Sequence, residues 1–323
     1  MELVAGAGGF IGGSLVARLL SEGKQVRAVD SKPFHNWYQI HQDAENLVLD
    51  LKLEQNCKQA TLNVANVWNL AADMGGMGFI ENHKAECMLS VLINTNLLLA
   101  ARENKKVERF FFSSSACVYP GYKQGETDVL PLKEDDVYPA DPEDGYGWEK
   151  LFSERMCRHF REDFGLQTRV ARYHNVYGPF GTYTGGREKA PAAVCRRIIE
   201  AKMSGNHEIV VWGDGNQTRS FMYIDDCIRG SLTLMESDYL DPINIGSAET
   251  VTINQLIDIV EQIAGIRVVR RYDLNAPQGV RGRSSDNTLI RSQFDWEPDT
   301  PLAIGMEKTY RWIYNQMAGI SSN

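Results

Sequence analysis

Residues 6–13 read GAGGFIGG, which sets Gly6, Gly9 and Gly12 three apart, directly after the apolar run ELVA (2–5) and at the mouth of an amphipathic stretch over 10–22. Glycines between a strand and a helix permit a tight turn and let the backbone approach a pyrophosphate closely. The amino terminus of the following helix attracts the anion. The next apolar run, QVRAV (25–29), ends on Asp30, eighteen residues past Gly12. A carboxylate there accepts hydrogen bonds from ribose hydroxyls and repels a 2′-phosphate, so the pattern predicts NAD rather than NADP. Asp50, closing the run LVLD, is open to two readings: an adenine contact or a surface turn residue.

The alternation continues along the first half. Strand-like runs at 46–49, 66–71, 109–113 and 168–172 are separated by helix-like stretches at 52–60, 79–105 and 144–165. Repeated strand and helix units predict a doubly wound α/β fold of the Rossmann kind, its parallel sheet covered on both faces. After residue 172 the alternation gives way to loops rich in Gly, Pro and charge, separated by helical stretches near 190–203, 225–236, 252–264 and 302–317. Long polar loops on a packed scaffold carry binding. The expected division is an NAD-binding domain over 1–172, rejoined by segments around 219–246, and a smaller mixed α/β substrate-binding lobe mainly over 173–323.

Composition narrows the function. With 43% hydrophobic residues the chain can bury a large core, and its net charge of −8 gives no electrostatic reason to expect a nucleic-acid surface, while an anionic small substrate fits if basic residues converge locally. No apolar run of membrane-spanning length and no cationic leader is read, so no membrane association and a cytoplasmic location are expected. The six cysteines form no C-x-x-C pair and the six histidines no metal-binding pattern, so reduced thiols and no metal are expected.

Tyr146 and Lys150 stand four apart in YGWEK, so both project from one helical face. An ammonium near a phenol favours the phenolate, which makes tyrosine a usable base. Ser115, in the SSS run at the end of a strand, completes a Ser, Tyr, Lys constellation.

GAGGFIG, FFFSSSACVYP and YGWEK resemble the extended short-chain dehydrogenase/reductase family of nucleotide-sugar-modifying enzymes. NLAADMGGMGFI (69–80), SSSACVYP (113–120), HNVYGPFGT (174–182), GGREKAPAAVCRR (185–197), WGDGNQTRSF (212–221) and GVRGRSSDN (279–287) are similar, more narrowly, to the GDP-mannose 3,5-epimerase family. The match departs at Ala5, where the wider family usually has Thr; that removes one side-chain hydrogen bond and leaves the phosphate-facing backbone. The resemblance implies cofactor contacts at Phe10, Ile11, Leu70, Ala71 and Ala72, and substrate contacts at Gly75, Ala116, Asn175, Glu188, Ala190, Gln217 and Thr218. It also implies a GDP-hexose substrate and a homodimer built from the helices near 85–104 and 144–165.

Family members begin by oxidising a sugar hydroxyl, usually at C4. The dehydratases then use an Asp-Glu pair two residues after the catalytic serine, where this chain has Cys117-Val118. A C4 ketone acidifies the hydrogens at C3 and C5, and inversion requires a base on one ring face and an acid on the other. Cys117 suits one role, because an ordinary thiol titrates near about 8.5 and a neighbouring cation lowers that value. Lys189, in GGREKAP, is the candidate for the opposing role, its ammonium delivering a proton if burial lowers its pKa. Arg219 and Arg283, with Arg197 as a weaker partner, suit a diphosphate. His174 is expected to pack or bond locally. The competing readings are a 4-epimerase or keto-reductase on another nucleotide sugar and, from a different class, a non-catalytic NAD-binding protein.

Overall fold

The run RFFFSSS shows why the central sheet is buried on both faces. Side chains alternate across a strand: Phe110 and Phe112 pack with Val67, Leu97 and Leu98 on one face, while Phe111 meets Trp68 on the other, ring centroids 5.2 Å apart. The computed structural model describes residues 1–128 and 130–320. Strands β1 (Glu2–Ala5), β2 (Val26–Asp30), β3 (Glu45–Val48), β4 (Asn66–Asn69), β5 (Arg109–Ser115) and β6 (Gln167–Tyr173) join the edge strand Ile243–Ile245 in one sheet of seven. The order is Ile243–Ile245, β6, β5, β4, β1, β2, β3, and every pair is parallel. The direction of winding reverses between β1 and β4, which opens a crevice beyond their carboxyl ends.

Three differences from the sequence reading stand out. The helix expected over 79–105 is three: Met77–Asn82, Lys84–Met88 and Val91–Glu103. The first break falls at His83, whose backbone leaves the helical region (φ −128, ψ 44) while its ring stacks on Phe79. By length and composition Lys84–Glu103 could cross a membrane, a run the sequence reading did not find; here Cys87, Asn94, Leu97 and Leu98 are buried against the protein. Of the segments expected to rejoin the sheet around 219–246, Ile243–Ile245 does so. Thr218–Ser220 and Met222–Tyr223 instead pair in small sheets with Thr250–Thr252, Gly282–Arg283 and Val176–Tyr177, because Ile243–Ile245 already occupies the free edge of β6. Unforeseen from sequence was the parallel pair of Glu208–Trp212 with Val269–Asp273.

A buried polar cluster holds the helix Asp144–Phe164 against β5 and β6. Arg172 on β6 donates to both oxygens of Glu154 at 3.0 and 2.8 Å, and both side chains are almost wholly buried. Ser114 on β5 donates to the same carboxylate at 2.5 Å. Arg172 also donates to the Tyr119 hydroxyl (3.2 Å) and to the Glu134 carbonyl (2.8 Å). Removing one partner of such a pair strands a charge in the interior. Glu154→Ala should therefore lower the unfolding free energy in urea titrations by about 3–5 kcal/mol, and a loss under about 1 kcal/mol would contradict this account.

Candidate active site

The glycine turn lies at the carboxyl end of β1. A Cβ on Gly12 would come within 2.1 Å of the Gly6 carbonyl oxygen, so helix Phe10–Ser21 can start this close to β1 only with glycine there. A continuous cleft of about 1260 Å³ extends from this turn across the carboxyl ends of the strands into the loops of the second half. That exceeds the roughly 300–1,000 Å³ of an ordinary ligand pocket and leaves room for a dinucleotide and a second ligand side by side. Asp30 and Asp50 both line it, each also accepting a backbone N–H two residues on. The open glycine turn, the helix amino terminus and Asp30 together fit NAD.

The catalytic constellation assembles at the middle of the cleft. Ser115 ends β5, paired with Tyr173 of β6, and its hydroxyl accepts the N–H of Cys117 at 3.2 Å. The chain then makes one 3-10 turn, Ala116–Val118, which places Cys117 just beyond the carboxyl end of β5, 8% exposed. Helix Asp144–Phe164 comes unusually close. The Glu143 N–H donates to the Cys117 carbonyl at 3.0 Å, and a Cβ on Gly147 would meet that same oxygen at 2.3 Å. Tyr146 and Lys150 are thereby buried beside the turn, with the Lys150 Nζ 5.6 Å from the Tyr146 ring centroid and 4.7 Å from that of Phe112.

Burial governs the titration of this cluster. Desolvation pushes the Tyr146 phenol well above its ordinary value, reinforced by Cys117 and Glu149 and eased by a hydrogen bond to Ser115. Contrary to the lowering expected from Lys150, the phenol rests protonated. Cys117 behaves likewise. The cation expected beside it is present, as Arg283, but desolvation and the Glu143 carboxylate raise the thiol by more than Arg283 and Ser115 lower it. Lys189 lines the cleft as the residue before helix Ala190–Ser204, and desolvation lowers its pKa, opposed chiefly by Cys117. Both shifts favour the uncharged forms, a thiol and an amine.

All of the sequence-derived site residues line this cleft except Thr218. The Thr218 hydroxyl donates to the Thr127 carbonyl at 2.6 Å, so its side chain anchors a loop instead of facing the cleft. Arg219 lines the cleft with its guanidinium held by the carbonyls of Thr218, Gln278 and Val280, and burial with the nearby Arg283 brings its pKa down to about 10. Arg283 departs from the diphosphate role read for it. Its nitrogens are committed to Gln124 (2.6 Å), Glu143 (2.7 Å) and the Cys117 sulfur (3.6 Å), which makes it a neighbour of the thiol. Arg197 donates to the Val210 carbonyl at 2.6 Å and lies over the Trp212 ring. Gln217 donates to the Trp212 carbonyl and leaves its Oε1 buried without a partner among the described residues. His174 is fully buried, bonded to Asn244, and desolvated to a pKa of about 3.

Three features escaped the sequence reading. Arg187 lies over the Phe79 ring at 3.8 Å and pairs with Asp73 at 2.7 Å, joining two walls of the cleft. Lys32 and Trp37 cover the glycine turn, the Lys32 ammonium donating to the Gly8 carbonyl and the Trp37 indole to the Lys32 carbonyl, both at 2.8 Å. Glu143 meets the thiol's cation. Only its place three residues before Tyr146 hinted at it, and that spacing carries no chemical signal by itself. Among the described residues no group of three or more His, Cys, Asp or Glu side chains is arranged to hold a metal.

Residues 2–246 match the sequence pattern of the family described as NAD dependent epimerase/dehydratase family. The chain is 47% identical over 315 residues to GDP-mannose 3,5-epimerase 1 of Oryza sativa subsp. indica, which covers 97% of this chain and 82% of that protein. It is also similar to two solved structures. One is UDP-glucose 4-epimerase with UDP-glucose from Thermotoga maritima (TM-score 0.87, 26% identity, 98% of this chain and 99% of that one). The other is UDP-glucuronic acid 4-epimerase from Bacillus cereus in complex with UDP-glucuronic acid and NAD (TM-score 0.82, 26% identity, 98% and 100%).

The direction of the thiol shift has a direct readout. Because burial and the Glu143 carboxylate raise the Cys117 thiol above its ordinary value, alkylation of that residue by iodoacetamide should be slow at neutral pH and should accelerate only as the solution becomes alkaline. A rate already at its plateau at neutral pH would contradict the assigned environment.

Proposed function

The chain belongs to the NAD dependent epimerase/dehydratase family, and from that premise we propose that it converts GDP-D-mannose to GDP-L-galactose by inverting C3 and C5. The observation that carries this reading is the position of Cys117 and Lys189 on one cleft with Ser115, Tyr146 and Lys150. A thiol in place of the dehydratase carboxylates leaves acid–base chemistry at carbon and removes the acid for expelling water. The choice of a GDP-hexose is supported by the rice relative.

Bound NAD supplies the reversible oxidation of the sugar's C4 hydroxyl. Gly6, Gly9 and Gly12 admit its pyrophosphate, Asp30 holds a ribose, and Lys150 holds the nicotinamide ribose. Ser115 orients the C4 hydroxyl and Tyr146 takes its proton. With a ketone at C4, Cys117 and Lys189 exchange protons with C3 and C5 from opposite ring faces. Burial disfavours the charged form of each, which keeps the proton on the Cys117 thiol and eases its release from the Lys189 ammonium. Arg219, which lines the cleft and makes no ion pair with a carboxylate among the described residues, is the diphosphate partner best supported.

We also propose a homodimer. Met88, Leu89 and Leu92 from one helical region and Trp148 and Phe152 from helix Asp144–Phe164 are exposed large apolar side chains on helices the sequence resemblance assigns to the interface. Trp148→Glu with Phe152→Glu should convert the dimer to a monomer in sedimentation, and an unchanged mass would rule out this face.

Proton NMR in heavy water tests the chemistry. GDP-D-mannose recovered from the NAD-loaded protein should carry deuterium at C3 or C5, whereas retention of every ring hydrogen would leave a 4-epimerase or keto-reductase. Cys117→Ala should slow the exchange by about 10²–10⁴-fold, the usual contribution of a positioned acid or base, while the sugar-dependent appearance of reduced cofactor persists.

A further inference from the structure

Arg283 is held in one orientation. It is 5% exposed, and its Nε donates to the Oε1 of Gln124, a side chain with no exposure at all. The Gln124 amide is itself fixed by the carbonyls of Tyr119 and Pro120, and the Gln124 carbonyl accepts the N–H groups of Arg281 and Gly282. One side of the guanidinium fork then meets the Cys117 sulfur at 3.6 Å and the other the Glu143 carboxylate at 2.7 Å. Glu143 in turn donates its backbone N–H to the Cys117 carbonyl. Sulfur, guanidinium and carboxylate therefore form one connected arrangement.

We propose that Glu143 is a positioning residue for Cys117, holding Arg283 against the sulfur and offsetting that cation's charge so that the sulfur rests as a thiol. This assignment builds on the acid–base role given to Cys117 above. The groups facing the sulfur can be named from each side. Its own turn brings the Ser115 hydroxyl, the adjoining helix brings Glu143 and the neutral Tyr146 phenol, strand Gly282–Arg283 brings Arg283, and the approach to helix Ala190–Ser204 brings Lys189, with Arg219 behind. Glu143 is the carboxylate that contacts the thiol's cation. Without its charge, Arg283 stabilises the thiolate unopposed.

The test is the pH dependence of Cys117 alkylation by iodoacetamide in the NAD-loaded protein, with the modified peptide identified by mass spectrometry. The thiol proton goes to solvent and the thiolate displaces iodide, so the rate reports the ionised fraction of this one sulfur without requiring turnover. Glu143→Gln keeps the shape and an acceptor for Arg283 but removes the charge; its alkylation midpoint should fall by about 1 pH unit or more, the size of shift a neighbouring charge imposes. Glu143→Asp keeps the charge and should retain the original midpoint. An unmoved midpoint in Glu143→Gln, or an equal fall in both variants, overturns the proposal. If Glu143→Gln does not fold, Arg283→Lys takes its place: a compact ammonium drawn to Glu143 leaves the sulfur without its cation and should raise the midpoint, and no rise overturns the proposal. Deuterium exchange is followed in parallel. A midpoint that shifts as expected in an enzyme whose products carry no solvent deuterium would overturn the acid–base role of Cys117 and leave the pairing with Glu143 standing.

Discussion

The carboxylate of Glu154 receives Arg172 from β6 and Ser114 from β5 deep beneath the cleft. Ion pairs this deep cost several kcal/mol of desolvation per charge, and they persist when further hydrogen bonds satisfy them. Here the return is register. Glu154 lies one helical turn beyond Lys150 and two beyond Tyr146, and Ser114 immediately precedes Ser115. Locking Glu154 to Ser114 therefore sets how far along β5 the tyrosine and lysine stand. Through Tyr119 and Glu134 the same guanidinium also secures the chain that leaves the Cys117 turn.

With that register set, the helix start can approach the turn closely. Gly147 leaves the Cys117 carbonyl free to accept from Glu143, so the thiol and the phenol share one buried wall of the cleft. Burial then decides their chemistry. Tyr146, Cys117 and Lys189 are all shifted toward their neutral forms, with desolvation the largest cause at each. Low polarity raises the cost of a lone charge, so a proton moves most readily where the charge it leaves lies close to one of opposite sign. A site meant to form and quench a carbanion beside a ketone benefits from that balance.

Much of this was legible in the residue order. The strand runs, the Gly6–Gly12 turn, Asp30 and the Tyr146–Lys150 spacing are local patterns with periods of two or 3.6 residues, and each formed where its pattern lay. The motif around Cys117 and Lys189 pointed to two residues that line one cleft. The kink at His83, the pairing of Glu208–Trp212 with Val269–Asp273, and the turning of Thr218 toward Thr127 were not legible, because each depends on which distant segment claims an edge or a hydrogen bond first.

The sequence by itself determined a doubly wound sheet, a dinucleotide crevice and a reactive trio at the ends of two neighbouring elements, since these follow from spacing within a few tens of residues. Only the tertiary structure decided that Arg283, 166 residues from Cys117 along the chain, faces the sulfur, and that Glu143, 140 residues from Arg283, answers it. Ionisation states depend on the charges and the water within a few ångströms, and folding alone chooses those neighbours.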